Sequence, residues 1–269
     1  MKNAPSILRF ALGTFLFSYI LWGIIILFQQ LGWFPQGSNW FVPFYIVGGN
    51  APPIFAYLAL KRANSGYTLK EYLKNAFAVK QKPLYYAITI VMVAIYFGVP
   101  AMIGGLSTEA APGLESTGFS GHIPLYLAII GAVPIFFFGG GSEELGWRGV
   151  LQPELEKKMH VVPATIITSV LWTVWHLPLW FINGTGQSEV NFGLFFLTVI
   201  GLSFALTAIR RVSGSVWLCV LFHCGINSIQ GSLPVIDNLT NRILTTAVYI
   251  AISISIILCH ERKPKDTKA

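Results

Sequence analysis

Eight apolar stretches, at about residues 7–28, 41–60, 84–106, 123–142, 162–182, 191–209, 215–231 and 241–259, take up most of this 269-residue chain. Most of them approach the roughly 20 residues that a helix needs to cross the hydrocarbon core of a bilayer. Backbone amides find no water there, so a helix, which satisfies its own N–H and C=O groups, is the default form of each stretch. The expected fold is all-α, a polytopic membrane protein with about eight transmembrane helices in one integral membrane domain over 1–269. Composition agrees. Hydrophobic residues make up 54% of the chain and charged residues only 11%, against roughly 25% charged in a soluble domain. That is too little charge to coat a water-soluble globule, and too much apolar content for a disordered chain.

Charge then orders the spans. Lys2 and Arg9 open the first. Lys61, Arg62, Lys70, Lys74, Lys80 and Lys82 lie between the second and third. Arg148, Lys157 and Lys158 lie between the fourth and fifth, Arg210 and Arg211 between the sixth and seventh, and Arg262, Lys263, Lys265 and Lys268 after the eighth. With eight crossings, 17 of the 18 basic residues fall on one side, Arg242 being the exception. The opposite loops carry Glu109, Glu115, Glu189 and Asp237. An excess of Lys and Arg marks the cytoplasmic side, so both termini are expected to be cytoplasmic in a multi-pass protein of the cell membrane. The net charge of +7 is spread among these loops, which argues against a nucleic-acid partner. The first stretch is too long for a signal-peptide core and is expected to be retained. The segment 143–161 reads as an amphipathic helix extending span 4. Cys219, Cys224 and Cys259 lie in apolar stretches without metal or disulfide spacing and read as small buried residues.

Ionisable groups within spans are expensive and mark functional sites. Few remain. Glu143, Glu144 and Arg148 stand at the end of span 4, His176 in span 5, His223 and Asn227 in span 7. On a helix Glu144 and Arg148 are one turn apart and can pair, while Glu143 faces about 100° away. The plain alternative is a membrane-edge ion pair with a spare carboxylate. The functional one makes Glu143 a general base or metal ligand. The glycine run 139–141 permits close approach of another helix or a substrate. His176 is either a satisfied interhelical hydrogen bonder or part of a site, with Trp172 one turn earlier placed to stack on it. His223 and Asn227, four apart, share a helix face and can donate to one point, or serve as helix–helix glue. Taken together, two carboxylates, two histidines and an amide on three spans are the parts that activate water and stabilise an oxyanion. They suit zinc equally well.

The three motifs, Glu143-Glu144-Leu-Gly-Trp-Arg148, Trp172-Thr-Val-Trp-His176 and His223-Cys-Gly-Ile-Asn227, resemble the EExxxR, (F/W)xxxH and HxxxN signature of the CPBP intramembrane proteases. That group includes type II CAAX prenyl proteases, bacteriocin-processing and immunity (Abi) proteins and lysostaphin-resistance-like proteins. The resemblance covers about 123–231, and Trp172 stands where many members have Phe. It implies an intramembrane endopeptidase in which Glu143 and His176 activate the attacking water. His223 and Asn227 would form the oxyanion site, with Glu144 and Arg148 ordering it. It leaves open a metal held by Glu143, His176 and His223, and implies a peptide or membrane-protein substrate, prenylated or not. A silent immunity or scaffolding protein is the main alternative. A proton-coupled transporter is a further one, disfavoured because no inverted repeat is visible. One expectation conflicts with the site. Counted at about 1.5 Å per residue from the outer span ends, Glu143 lies roughly 28 Å deep and His176 about 10 Å, so straight helices would keep them apart.

Overall fold

A computed structural model describes residues 5–35, 37–104, 136, 140–230 and 238–261. The described residues form helices joined by short turns, with no strand among them. Five helical stretches are long and apolar enough to cross a membrane: Ile7–Gln30, Pro83–Met102, Val161–Phe181, Phe192–Ser213 and Leu239–Glu261. Val216–Gln230 is a shorter apolar helix. The protein is thus a multi-pass, all-helical bundle. Most of span 4, the 107–122 loop, Asp237 and the tail beyond Glu261 lie outside the described residues.

Helix α1 (Ile7–Gln30) is capped by Ser6, whose side chain accepts from the Arg9 amide. Its outer face carries Leu8, Leu12, Leu16 and Ile20, all exposed, while Thr14, Ser18 and Trp22 are buried. Leucine meets lipid as readily as it meets protein, so the interior takes the polar groups, which bond across helices. Ser18 illustrates this. Its hydroxyl donates to the Gly48 carbonyl at 2.8 Å and accepts from the Trp175 indole at 2.7 Å.

The second apolar stretch, expected as one span over 41–60, is two helices end to end: α2 (Val42–Gly49) and α3 (Ala51–Ala63). The break falls at Asn50, ahead of Pro52 and Pro53. Proline has no N–H to give to the carbonyl one turn back. Pro52 therefore leaves Gly48 O without its helical donor, and Ser18 supplies one. Amphipathic α4 (Leu69–Ala76) opens with a capping box of Thr68 and Glu71 and ties back through Tyr72 Oη to Pro53 O at 2.8 Å. Helix α5 (Pro83–Gly104) follows.

Residues 141–156 form one composite helix: a tight turn Gly141–Glu143, then Glu144–Gly146, a wide π-type turn Trp147–Leu151, and Gln152–Glu156. The amphipathic reading of this segment is corrected. Trp147, Arg148, Val150, Leu151, Gln152 and Leu155 are all buried, so the helix sits in the core. It turns at Lys157 and Lys158 into antiparallel α6 (Val161–Trp175). Helices α7 (Phe192–Ser213), α8 (Val216–Gln230) and α9 (Leu239–Glu261) complete the bundle. Trp22, Trp147 and Trp175, each at most 1% exposed, meet at centroid distances of 5.0 and 5.7 Å and knit α1, the composite helix and α6 together.

The basic loops converge at one end of the bundle. Arg211 pairs with Glu156 and Glu261, and Trp217 at the start of α8 meets Phe77 and Tyr86 beside the lysine-rich connection. Arg242, the lone exception, is partly buried at the other end, donating to Tyr96 Oη and Thr198 Oγ1.

Close packing makes a testable demand at Gly146. A Cβ there would lie 2.8 Å from Pro52 Cβ and O, whereas one at Gly149 would meet nothing nearer than 3.7 Å. Gly146→Ala is expected to lower stability by about 1–3 kcal/mol and Gly149→Ala to cause a smaller loss, read as thermal unfolding in the same detergent. Equal melting of the two variants would contradict the packing.

Candidate active site

The site begins at Gly140, whose φ of +104° suits glycine and few other residues. This reversal starts the composite helix with a tight turn and swings Glu143 inward. The conflict of depths is resolved here. Glu143 stands at the head of the composite helix, and His176 caps the far end of antiparallel α6. From Glu143 to Glu156 is about 20 Å of helix and from Val161 to His176 about 22 Å, so a short turn at the bottom brings both to one level.

His176 Nε2 lies 4.0 Å from Glu143 Oε1. The ring's other nitrogen, Nδ1, is 2.8 Å from the Trp172 carbonyl. A carbonyl only accepts, so Nδ1 carries the proton and the neutral ring presents a bare Nε2 lone pair towards Glu143. Two acceptors at this spacing suit one bridging water. With hydrogen bonds of about 2.8 Å to each, the angle at its oxygen is about 90°. Glu143 Oε2 accepts the Trp172 indole N–H at 2.7 Å.

The expected stacking of Trp172 on His176 is corrected. Their centroids are 6.1 Å apart and tilted, and Trp175 is the nearer neighbour of His176 at 4.6 Å. Trp172 instead orients the carboxylate, sets an edge contact with His223 at 5.3 Å, and lies under the Arg148 guanidinium at 4.6 Å.

Glu144, fully buried, lies between Arg148 and His223. Arg148 Nη1 is 3.1 Å from Oε2, and His223 Nδ1 is 2.8 Å from Oε1. The i, i+4 pairing of Glu144 and Arg148 expected from spacing is present. Arg148 Nη2 further donates to Ser203 Oγ at 2.9 Å. Beyond Arg148 the helix widens by one residue. The Gln152 amide bonds Trp147 O, Pro153 has no N–H for the next carbonyl, and Arg210 Nε donates to Arg148 O at 3.3 Å instead. Such π-turns recur at functional sites.

His223 and Asn227 share a face of α8, and Gly140 shows where they aim. A Cβ built on Gly140 would lie 2.7 Å from His223 Nε2 and 3.1 Å from Asn227 Nδ2. Both nitrogens therefore sit at hydrogen-bond distance from one small volume kept open by glycine. Glu143, His176 and His223 are each under 9% exposed, and Asn227 lies at the exposed margin.

All six residues singled out in the sequence thus cluster. Ser142, which donates to Asn50 Oδ1 at 2.9 Å, Ser203 and the indole of Trp172 were not anticipated in these roles. Ser203 and Thr207, four residues apart in largely apolar α7, were the available signal. The expected metal set does not form a three-donor cluster: among the described residues no three His, Cys, Asp or Glu side chains are arranged to hold an ion. Both histidine Nδ1 atoms are engaged elsewhere, and Glu143 and His176 supply only two facing donors.

The tautomer is checkable. In ring-15N-labelled protein at neutral pH, His176 is expected as the Nδ1–H form, and an Nε2–H signal would overturn the bridging geometry.

Comparison with known proteins agrees with the motifs. Residues 124–229 match the family described as type II CAAX prenyl endopeptidase Rce1-like. A curated relative, CAAX prenyl protease 2 of Methanococcus maripaludis, is 24% identical over 263 residues, covering 92% of this chain and 91% of the relative. The segment that carries all three motifs is therefore similar to the Rce1-like, type II CAAX prenyl endopeptidases, and most of the chain is similar to a CAAX prenyl protease 2.

Proposed function

We propose that the protein is an intramembrane endopeptidase that hydrolyses a peptide bond near the membrane surface, using water activated by Glu143 and His176. The observation that carries this reading is the pairing of two constellations. A carboxylate and a bare imidazole nitrogen face each other at 4.0 Å, and two side-chain nitrogens converge on the space over Gly140.

Each step follows from groups already placed. The water between Glu143 and His176 donates to both acceptors, so its lone pairs point away from them towards a carbonyl carbon. As the C–O bond forms, Glu143 takes the water proton and the carbonyl oxygen becomes an oxyanion. That oxyanion settles over Gly140, accepting from His223 Nε2 and Asn227 Nδ2. Because Nδ1–H of His223 is directed to Glu144, the ring can donate from Nε2 only as an imidazolium, and the Glu144 carboxylate compensates that charge. The proton held by Glu143 then passes to the departing nitrogen as the C–N bond breaks. The products are a carboxylic acid and an amine. Arg148, itself donating to Ser203, holds Glu144, and Trp172 holds Glu143. No step needs a metal held by Glu143, His176 and His223, which the donor arrangement does not favour.

The name of the curated relative directs the choice of substrate. A peptide with a prenylated cysteine near its C-terminus is the first to offer, and an unprenylated transmembrane peptide is the second. The basic end of the bundle would face the cytoplasm.

Glu143→Gln is expected to reduce cleavage in proteoliposomes at least about 10³-fold, with unchanged thermal unfolding, since proton transfer of this kind contributes roughly 10²–10⁴. Normal turnover by that variant would refute the assignment. Asn227→Ala should lower kcat by about 10²-fold, with KM little changed. Gly140→Ala should be worse than Asn227→Ala, because its methyl group fills the oxyanion space.

A further inference from the structure

The composite helix carries polar residues at four-residue intervals beyond the catalytic pair: Glu144, Arg148, Gln152 and Glu156. Helix α7 answers in the same period with Ser203, Thr207 and Arg211. The two series meet rung by rung. Arg148 Nη2 donates to Ser203 Oγ at 2.9 Å. Gln152 Nε2 donates to Thr165 Oγ1 of α6 at 3.1 Å, and Thr165 touches Thr207 at 3.1 Å. Arg211 Nη1 donates to Glu156 Oε2 at 2.7 Å and pairs through Nη2 with Glu261 of α9. The rungs are also joined lengthwise, by Thr207 Oγ1 to Ser203 O at 2.7 Å and Gln152 Nε2 to Glu156 Oε1 at 2.9 Å. An unbroken chain of polar contacts therefore runs from His223 through Glu144 to an ion pair at the basic end of the bundle. Gln152, Thr165, Ser203 and Thr207 are at most 1% exposed. Arg211 and Glu261 reach the surface, with side chains 31% and 40% exposed.

We infer that this ladder positions the catalytic helix, and that Gln152, Glu156 and Arg211, though about three turns from Glu143, set the orientation of the Glu144–His223 pair. A proton relay is the competing use of such a chain. Arg148 stands in the middle of it, and an arginine in a protein does not release its proton, so the chain transmits position rather than protons. The location of the ladder has a physical reason. The π-turn at Trp147–Leu151 weakens the helix's own hydrogen bonding between the catalytic residues and their anchor. Without lateral ties the tight turn at Glu143 could rotate about that point. The rungs to α6 and α7 sit across and below the π-turn and supply the missing constraint.

The inference rests on the reading of His223 as part of the site, and its test includes a readout that needs no turnover. Full-length protein labelled with 15N-histidine has five ring environments to resolve. The variants are Gln152→Leu, Glu156→Arg, Arg211→Glu and a triple exchange of Glu156→Arg, Arg211→Glu and Glu261→Arg, which reverses both partners of Arg211 together. Each single change is expected to shift the His223 ring signals and leave those of His176, which is held by the Trp172 carbonyl outside the ladder. Each should lower kcat for the prenylated peptide about tenfold with KM unchanged, and the triple exchange should recover most of both effects. If Gln152→Leu does not fold, the two surface variants and the triple exchange decide the matter. Unchanged His223 signals in folded single variants would overturn the ladder, as would shifts that the triple exchange does not reverse. If no peptide is cleaved by the parent protein, the proteolytic reading fails while the His223 signals still judge the ladder.

Discussion

A carboxylate with no access to water organises this molecule. Glu144 is fully buried, and an isolated ion in such a place would be prohibitively unstable. It persists because Arg148 pairs with one carboxylate oxygen and the His223 ring hydrogen-bonds to the other. Breaking a buried pair by removing one partner is destabilising by about 3–5 kcal/mol, so each member constrains the other two. That constraint fixes which nitrogen of His223 is turned outward, and so which atom faces the space over Gly140. It also ties the composite helix to α8. A replacement by hydrophobic residues of like size would pack as well and lose the chemistry. The arrangement is retained for orientation.

The rest of the bundle follows the same logic of polar groups turned inward. Ser18 serves the carbonyl that Pro52 leaves unbonded and receives the Trp175 indole. Tyr72 reaches Pro53 O, and Tyr249 reaches Met92 O across α9 and α5 at 2.7 Å. Each such bond replaces a hydrogen bond that water would make outside a membrane. The exposed faces meanwhile carry leucine and isoleucine, whose contact with lipid is neutral. At Gly48 and Arg148, carbonyls freed by irregular backbone take donors from neighbouring helices. The break at Asn50, the reversal at Gly140 and the π-turn at Trp147–Leu151 all lie inside the bundle, and all border Glu143 in space or in sequence. Local departures from helix geometry thus collect where side chains must converge.

Much of the site was legible because the bilayer makes polar residues conspicuous. Glu143, Glu144, Arg148, His176, His223 and Asn227 stand out against apolar surroundings, and the i, i+4 spacing of Glu144 with Arg148 and of His223 with Asn227 predicts shared faces. The role of Trp172 was not legible. An aromatic one turn before a histidine suggests stacking, yet the indole N–H turns to Glu143 because a buried carboxylate has greater need of a donor. Span 2 was read as one helix because hydropathy averages over the two prolines that split it. Glu154, Glu156, Lys157 and Lys158 make segment 143–161 read as amphipathic, yet Glu154 is buried beside Lys157 and Glu156 meets Arg211 of α7.

The amino-acid sequence by itself determined that the chain is a helical membrane bundle, that its basic loops share one end, and which few polar residues could carry chemistry. These follow from hydropathy, charge and spacing, which are local properties of the chain. Only the tertiary structure decided that Glu143 and His176 meet, that His223 is held through Nδ1, and that Gly140 keeps open the space between His223 and Asn227. Those outcomes depend on where the helices break and which way they run, and a break is set by which distant group is present to satisfy a freed carbonyl or a buried charge.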